Sequence, residues 1–314
     1  MIYKHLNSTI KNISKIGFGC AAIGGYDYGP ISDRESISAI HKSIDLGVNL
    51  FDVADVYGFG RAENILGKAI KGLSKENIFI ATKVGVRWDA NSNKTWRDLS
   101  SVYVEQAVDS CLKRLGVERL DICQMHWPIN NVPPAEIIGV FEKIQMAGKI
   151  NCIGVCNVSE SWFNEAAKHC RIDSLQIPYS IFDKSNVNLI SSSHHNFGSG
   201  VFVYNVLAHG LLSGKFNVNS QFSNTDLRSR VSLFSTTHIQ RALKVVDTVR
   251  FVANELCLSP SQVAISYALS TIEVTSVLVG VKSIEQAQCN FSHTKNLPLW
   301  AVDMINQSSE FNGF

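Results

Sequence analysis

Short apolar segments alternate with longer segments of helical periodicity along almost the whole chain. Such alternation is typical of strand–helix units in a parallel sheet, because parallel strands need a crossover connection, usually a helix, between them. Eight apolar segments qualify as strands. The predicted strands span residues 15–19, 49–53, 78–82, 120–124, 150–155, 174–177, 201–204 and 275–279.

Helix-terminal signals support the segments predicted between the strands. Ser32 and Glu35 have the spacing of a capping box, and Gly47 stands where a helix C-terminus favours glycine. Ser259 and Gln262 repeat the capping pattern near the C-terminal end of the chain. Because no low-complexity linker or repeat of near-identical sequence interrupts the pattern, we expect residues 1–314 to form one domain.

Eight such units could form either an open doubly wound sheet or a closed barrel. The glycine pairs at 17/19 and 58/60 lack the third glycine of the dinucleotide-binding fingerprint that accompanies the open sheet. A (β/α)8 barrel of about 250 residues with added loops also fits the length of 314 residues. The sequence therefore predicts an α/β protein with a TIM barrel.

Charge and composition exclude several classes of function. The net charge is +2 and the basic residues are dispersed, which indicates neither a nucleic-acid surface nor a membrane surface. The first residues, MIYKHLNSTI, lack a signal-peptide pattern, and the eight cysteines show neither metal-site spacing nor a disulfide framework. We expect a cytoplasmic protein with a small-molecule substrate and no metal, and the oligomeric state stays open.

Polar side chains stand at the carboxyl ends of three consecutive predicted strands, where barrels carry their chemistry. Asp52 and Tyr57 belong to the second strand and its loop, Lys83 follows the third, and His126 follows the fourth. Each has an ordinary structural explanation by itself: a loop cap, a packed phenol or a hydrogen-bonded histidine. Lys83 is the exception, since an apolar strand that ends in a lysine requires a partner for the charge.

Together these four residues resemble the catalytic tetrad of the aldo-keto reductase family. The resemblance covers almost the whole chain, in the segments FDVADVYGFGRAENILGKAI, IFIATKVG, LDICQMHWP, GKINCIGVCNVS, LQIPYS, LAHGLLSGK and VLVGVKSIEQAQCN. It implies reduction of an aldehyde or ketone with NADPH, in a reaction that moves a hydride to the carbonyl carbon and a proton to its oxygen.

The resemblance implies a role for each member of the tetrad. Tyr57 would donate the proton, and Lys83 would lower the pKa of that phenol from its free value of about 10. Asp52 would keep Lys83 charged, and His126 would orient the carbonyl oxygen. Two tryptophans, Trp88 and Trp127, would form walls of the substrate pocket, although packing at the barrel rim explains them equally well.

The cofactor residues follow from the same resemblance, which favours NADPH over NADH because Lys282 and Ser283 could hold a 2′-phosphate. One group would contact the nicotinamide, one the pyrophosphate through backbone amides and a lysine, and one the adenosine end. The three groups, in that order, are Cys156, Asn157, Gln176 and Tyr204; then Leu207, Gly210 and Lys215; then Gly280, Lys282, Ser283, Gln286 and Asn290.

Four residues depart from the family pattern. Cys156 replaces a serine near the nicotinamide, Asn205 and Val206 replace a Ser-Pro pair, and Cys289 replaces a glutamate near the adenine. The substrate is left open by the sequence, because specificity would come from the loops at 26–30, 87–99 and 216–234. Their polar content favours a hydroxylated or sugar-like carbonyl compound over a steroid.

Two alternatives from other functional classes stay open. One family branch serves as a cytoplasmic auxiliary subunit of potassium channels, and an intact tetrad does not exclude that role. A redox-responsive binding protein is the second alternative, in which the thiol of Cys156 would report the oxidation state beside the nicotinamide.

Overall fold

The computed structural model describes residues 1–7, 10–89, 91–130, 132–271, 273–293 and 295–314. Eight parallel strands close into one barrel in chain order, with β8 paired to β1. The strands are β1 (Ile16–Gly19), β2 (Leu50–Asp52), β3 (Phe79–Val84), β4 (Leu120–Met125), β5 (Ile150–Cys156), β6 (Ser174–Pro178), β7 (Gly200–Tyr204) and β8 (Val274–Gly280).

The barrel predicted from the sequence is confirmed, and each strand boundary lies within two residues of its predicted position. The largest difference is at β3, which continues through Lys83 to Val84. The reason is pairing: Lys83 and Val84 face Gln124 and Met125 of β4 in register, so backbone hydrogen bonding extends past the apolar run.

Helices surround the barrel and follow the predicted alternation. Ser32 caps α1 by accepting a hydrogen bond from the backbone N–H of Glu35 at 3.3 Å, and Ser259 and Gln262 form a complete capping box at α8. The helices are α1 (Asp33–Asp45), α2 (Arg61–Ile70), α3 (Ser101–Leu115), α4 (Pro134–Met146), α5 (Glu160–Ala166), α6 (Val187–Phe197), α7 (Ile239–Glu255), α8 (Pro260–Leu269), α9 (Ile284–Phe291) and α10 (Leu299–Phe311). In the described ranges, no helix combines the length and apolar character required to cross a bilayer.

The amino-terminal end of the barrel is filled by an apolar cluster. A short antiparallel hairpin, Tyr3–Lys4 with Ile13–Ser14, crosses this end, and Leu6, Ile10 and Ile13 pack into it. The strands contribute the other buried members, which are Leu50, Ala81, Ile122, Cys152, Phe202 and Leu278. This cluster closes the bottom of the barrel.

Strand periodicity then determines which residues form the mouth. Side chains two positions apart on a strand point to the same side, so the interior position above Leu50 is Asp52, and the one above Ala81 is Lys83. By the same rule Tyr204 stands above Phe202 on β7. The barrel interior therefore changes from apolar to polar toward the carboxyl ends of the strands.

The loop at 87–99, predicted without regular structure, contains a second hairpin. Its strands, Val86–Asp89 and Lys94–Arg97, pair antiparallel above the mouth. Four residues of the second strand are exposed, so the apolar run that marks a buried strand is missing. Residue 90 lies outside the described residues.

Candidate active site

Asp52 and Lys83 meet inside the barrel because they occupy inward positions on adjacent strands. The Lys83 Nζ lies 2.7 Å from Asp52 Oδ1 and 2.8 Å from Oδ2, and it also donates to the backbone carbonyl of Val53 at 3.0 Å. Both side chains are almost fully buried, at 2% and 5% exposure. The charge partner that the sequence requires for Lys83 is therefore Asp52.

Tyr57 reaches the same ammonium group from the turn after β2. Lys83 Nζ donates to the Tyr57 hydroxyl at 3.2 Å. The turn is held tightly, since Gly58 has φ of 59° and lies directly on the backbone of Gly24, where a Cβ atom would not fit. The close approach of these two glycines fixes the direction in which the phenol projects.

His126 completes the predicted group of four at the end of β4. Its ring stands edge-on to the Tyr57 ring, with centroids 5.9 Å apart and an angle of 83°. The residue is 8% exposed, and its Nδ1 has no hydrogen-bond partner among the described residues. The structure thus brings all four predicted residues to one place.

Burial and charge oppose each other in this group. Burial disfavours the ammonium form of Lys83, but Asp52, Tyr57 and Cys156 together outweigh burial and raise the lysine pKa above its ordinary value. Burial also raises the pKa of Tyr57, and Lys83 opposes that shift only in part. Lys83 thus lowers the phenol pKa, which is the direction expected of it, but burial has the larger effect and the net shift is upward. At neutral pH the Tyr57 phenol carries its proton.

The protonation state of His126, which the sequence left open, follows from its surroundings. Burial lowers the pKa of His126 well below its usual range, and the positive charges of Lys83 and Arg97 lower it further. The imidazole is neutral at pH 7, so it can offer one N–H donor and one acceptor nitrogen.

Aromatic side chains line two sides of the mouth. Trp88 lies 5.6 Å from Phe59, which in turn packs edge-on against Tyr26 at 5.0 Å. On the other side Trp127 stacks beside His126 with centroids 6.2 Å apart. The two predicted wall residues therefore stand on either side of the tetrad, and Trp127 keeps 36% of its surface exposed.

The predicted nicotinamide residues also lie together, over the carboxyl ends of β5 to β7. Asn157 donates through Nδ2 to the His126 carbonyl at 3.0 Å and accepts from the Tyr204 hydroxyl at 2.7 Å. The thiol of Cys156 lies 3.5 Å from Gln176 Oε1. The side chains present here, an aromatic ring with amide donors and acceptors, fit a flat ligand that carries a carboxamide.

The predicted pyrophosphate loop differs in part from expectation. The backbone amides of Ala208, His209 and Gly210 already donate within the loop, to Asn205 O, Asn205 Oδ1 and Leu207 O. These three backbone amides are therefore committed, whereas the ammonium of Lys215 can meet an anion.

A second cation, Arg228, joins Lys215 on that side of the mouth. Burial lowers the pKa of Lys215, and the positive charges of Arg228 and Lys282 lower it further. Asp226 compensates part of this charge by accepting from Arg228 Nε at 2.8 Å. Three cations with one carboxylate fit the phosphates of a dinucleotide, because a bound polyanion would relieve their repulsion.

The residues predicted for the adenosine end surround the start of α9. Ser283 caps this helix by accepting from the Gln286 backbone N–H at 3.3 Å, and the Gln286 side chain accepts from the Lys282 N–H at 2.9 Å. Lys282 Nζ donates to the Tyr28 carbonyl at 2.9 Å. The remaining two, Gly280 and Asn290, lie at the end of β8 and on the buried side of α9.

Comparisons with known proteins decide the family. Residues 15–308 match the family model described as Aldo/keto reductase family. The chain belongs to the aldo/keto reductase family. It is an NAD(P)H-dependent oxidoreductase, and the members of this family act on small-molecule carbonyl compounds.

Three relatives illustrate the similarity. Aldo-keto reductase YhdN of Bacillus subtilis is 32% identical over 248 residues, which are 79% of this chain and 74% of the relative. An NADH-specific methylglyoxal reductase of Escherichia coli is 29% identical and covers 91% of both chains. The glycerol dehydrogenase structure from Gluconobacter oxydans superposes with a TM-score of 0.89 at 28% identity, over 96% of this chain and 93% of that one.

These names describe enzymes, so the auxiliary-subunit alternative is not favoured for this reductase. The redox-sensor alternative is not favoured either. Burial raises the pKa of the Cys156 thiol, and the residue is 1% exposed, so the reactive thiolate is scarce and shielded. Five cysteines in the described ranges, Cys20, Cys111, Cys123, Cys152 and Cys156, are free and buried in the structure.

A buried ionic network that the sequence did not indicate lies behind β3 of this reductase. Glu63 on α2 is fully buried, accepts from Thr82 Oγ1 at 2.9 Å and pairs with Arg114 Nε at 2.6 Å. Thr82 points outward where the next residue, Lys83, points inward, so the network holds β3 from outside the barrel. Arg61, Asn64 and Lys68 give α2 an ordinary polar surface pattern, so a glutamate in its first turn offers no sequence signal of burial.

Proposed function

We propose that this reductase converts a small hydroxylated aldehyde or ketone to the alcohol with NADPH, and that Tyr57 donates the proton. The observation that carries the proposal is the Lys83 ammonium, which lies between Asp52 Oδ1 at 2.7 Å and the Tyr57 hydroxyl at 3.2 Å. When bound, NADPH supplies the hydride for the carbonyl carbon.

The roles of the four residues follow from their charges and positions. Tyr57 holds the proton at neutral pH because burial raises the pKa of its phenol. As the proton leaves, negative charge develops on the Tyr57 oxygen, and the adjacent Lys83 ammonium stabilises it most at that moment. Asp52 keeps this ammonium charged. Neutral His126 donates a hydrogen bond to the carbonyl oxygen and so directs it toward the phenol.

The cofactor assignments are part of the same proposal. Asn157 and Gln176 would hold the carboxamide, Tyr204 would stack on the ring, and Lys215 would meet the pyrophosphate. Lys282 and Ser283 support NADPH over NADH, because a lysine beside a helix N-terminus is suited to a 2′-phosphate. The Escherichia coli relative is named as NADH-specific, so the two cofactors have to be compared directly.

The substrate class rests on the polar mouth and on two relatives. Their names refer to glycerol and methylglyoxal, which are small and oxygen-rich. The hydrogen-bonding groups at the mouth favour such compounds over large apolar ones.

The test is NADPH oxidation with a panel of aromatic aldehydes, short ketones and open-chain sugars, for wild type and Tyr57→Phe. We expect the variant to lose about a hundredfold to ten-thousandfold in kcat, since it lacks the proton, with NADPH affinity unchanged. Tyr267→Phe is the matched control, because Tyr267 is buried and bonded to Asn306, away from the tetrad. Full activity in Tyr57→Phe would refute the role of the phenol.

A further inference from the structure

The hairpin above the mouth presents two chemically different faces. In its register Val86 is opposite Arg97, Arg87 opposite Trp96, and Trp88 opposite Thr95. Opposed residues point to the same side and neighbours alternate, so one face carries Val86, Trp88, Thr95 and Arg97. The other face carries Arg87, Asp89, Lys94 and Trp96.

The face that carries Arg97 is turned toward the active site. Val86 is buried, and Trp88 packs on Phe59, two residues beyond Tyr57. The Arg97 guanidinium lies over the Trp127 ring, 5.3 Å from its centroid, and donates through Nη1 to the Pro128 carbonyl at 2.8 Å. Both ends of this face therefore contact residues that follow members of the tetrad by one or two positions.

A continuous series of rings connects Arg97 to the reacting groups. Trp127 lies nearly parallel to His126, with centroids 6.2 Å apart and an angle of 24°, and His126 stands edge-on to Tyr57 at 5.9 Å. The distance from the Arg97 guanidinium to the His126 ring therefore cannot exceed the sum of two distances, guanidinium to Trp127 ring and Trp127 ring to His126 ring. A small substrate molecule can span that distance.

The two arginines of the hairpin differ in how their charge is compensated. Arg87, on the outer face, pairs with Asp98 at 3.2 Å and covers the rings of Trp96 and Tyr103. Arg97 forms no ion pair with any residue of the described ranges, and its hydrogen bond to Pro128 uses one of the five guanidinium donors. An uncompensated cation therefore stands at the rim, on the side of the neutral His126.

We propose that Arg97 binds an anionic group of the substrate, a carboxylate or a phosphate several bonds from the carbonyl that Tyr57 and His126 hold. The inference rests on the proposed function and narrows its substrate to small hydroxylated carbonyl compounds that carry such a group. The planar guanidinium offers two parallel donors to either anion, and the Trp127 face below it keeps the fork in one orientation.

The experiment compares matched substrate pairs: glyceraldehyde 3-phosphate with glyceraldehyde, and 4-oxobutanoate with butanal. The variants are Arg97→Met and Arg97→Lys, with Arg87→Met as the control on the opposite face. NADPH oxidation gives kcat and KM for each combination. The phosphate and carboxylate arms show which of the two anions the site accepts.

We expect wild type to prefer the anionic member of at least one pair by about tenfold or more in kcat/KM. Arg97→Met should remove that preference by raising KM for the anionic member far more than for the neutral one, Arg97→Lys should retain part of it, and Arg87→Met should behave as wild type. Equal kcat/KM within both pairs, or a preference that survives in Arg97→Met, would overturn this inference and leave the proposed function intact. Turnover of no member of either pair, together with none of the carbonyl panel, would overturn the proposed function as well.

Discussion

Two arcs of the barrel mouth compensate their charges in different ways. Along β2 to β4 the Lys83 ammonium is paired with Asp52 at 2.7 Å, inside the protein and within the chain itself. Along β7 and β8 three cations gather around Asp226, and their repulsion adds to burial in lowering the lysine pKa values. The first arc is electrostatically complete without a ligand, whereas the second reaches balance when an anion binds. Chemistry and cofactor affinity should therefore respond to different substitutions.

The substitution with the largest expected effect is Lys83→Met, which tests the paired charge along β2 to β4. The change removes the charge that stabilises the developing phenolate and leaves the Asp52 carboxylate buried without its partner. We expect kcat to fall by about a thousandfold and the free energy of unfolding to fall by about 3–5 kcal/mol. Single-turnover kinetics and denaturant titration measure the two effects.

The control is the double variant Lys83→Met/Asp52→Asn, in which the stranded charge is also removed. The double variant should regain most of the unfolding free energy that Lys83→Met loses relative to wild type, because no unpaired buried ion is left. Its kcat should stay as low as that of the single variant. A double variant as unstable as the single one would contradict the paired-charge description of this arc.

Lys282→Ala tests the second arc, along β7 and β8, through its effect on cofactor affinity. Removal of this cation should raise the KM for NADPH by about tenfold or more and change the KM for NADH little, since only NADPH carries a 2′-phosphate. Lys215→Ala is the comparison, and it should weaken both cofactors alike because both have a pyrophosphate. Equal losses for the two cofactors in Lys282→Ala would mean that its ammonium is only solvated.

The smallest effect concerns His126 and pH. Its pKa is lowered well below 6.5 in the folded protein by burial and by the charges of Lys83 and Arg97, so below pH 6.5 the unfolded chain binds a proton that the folded chain does not. The free energy of unfolding should therefore decrease as the pH is lowered, and His126 should account for about 1 kcal/mol of that decrease at pH 5.5. The His126→Asn variant should lose less unfolding free energy than wild type between pH 7.5 and 5.5, and urea titration at the two pH values measures this difference. Parallel profiles for the two proteins would show that the imidazole titrates normally.

The sequence predicted the strands well because each is buried on both faces and so reads as an apolar run. It could not predict the hairpin that carries Arg97, since exposed residues such as Lys94 and Thr95 leave no such run. Nor could it predict the direction of the Tyr57 pKa shift. That direction depends on how far burial exceeds the effect of Lys83, which is a property of three-dimensional packing.

Glu63, behind β3, is a second feature that the sequence could not predict, because its burial depends on three-dimensional packing. An inward lysine such as Lys83 can be recognised in a sequence because it interrupts an apolar strand. A buried glutamate on an amphipathic helix has the same sequence pattern as an ordinary surface charge. Only the contacts with Thr82 and Arg114 reveal that it braces β3.

Among the described residues, Leu6, Ile10 and Ile13 pack beneath the strands and fill the amino-terminal end of the barrel, so the polar residues of the mouth are approached from the carboxyl end. If cofactor and substrate both enter from the carboxyl end, the molecule bound nearer Cys156 and Gln176 has to bind first and leave last. Apolar packing at the opposite end of the barrel would then impose an order on binding and release, although it contacts neither reactant.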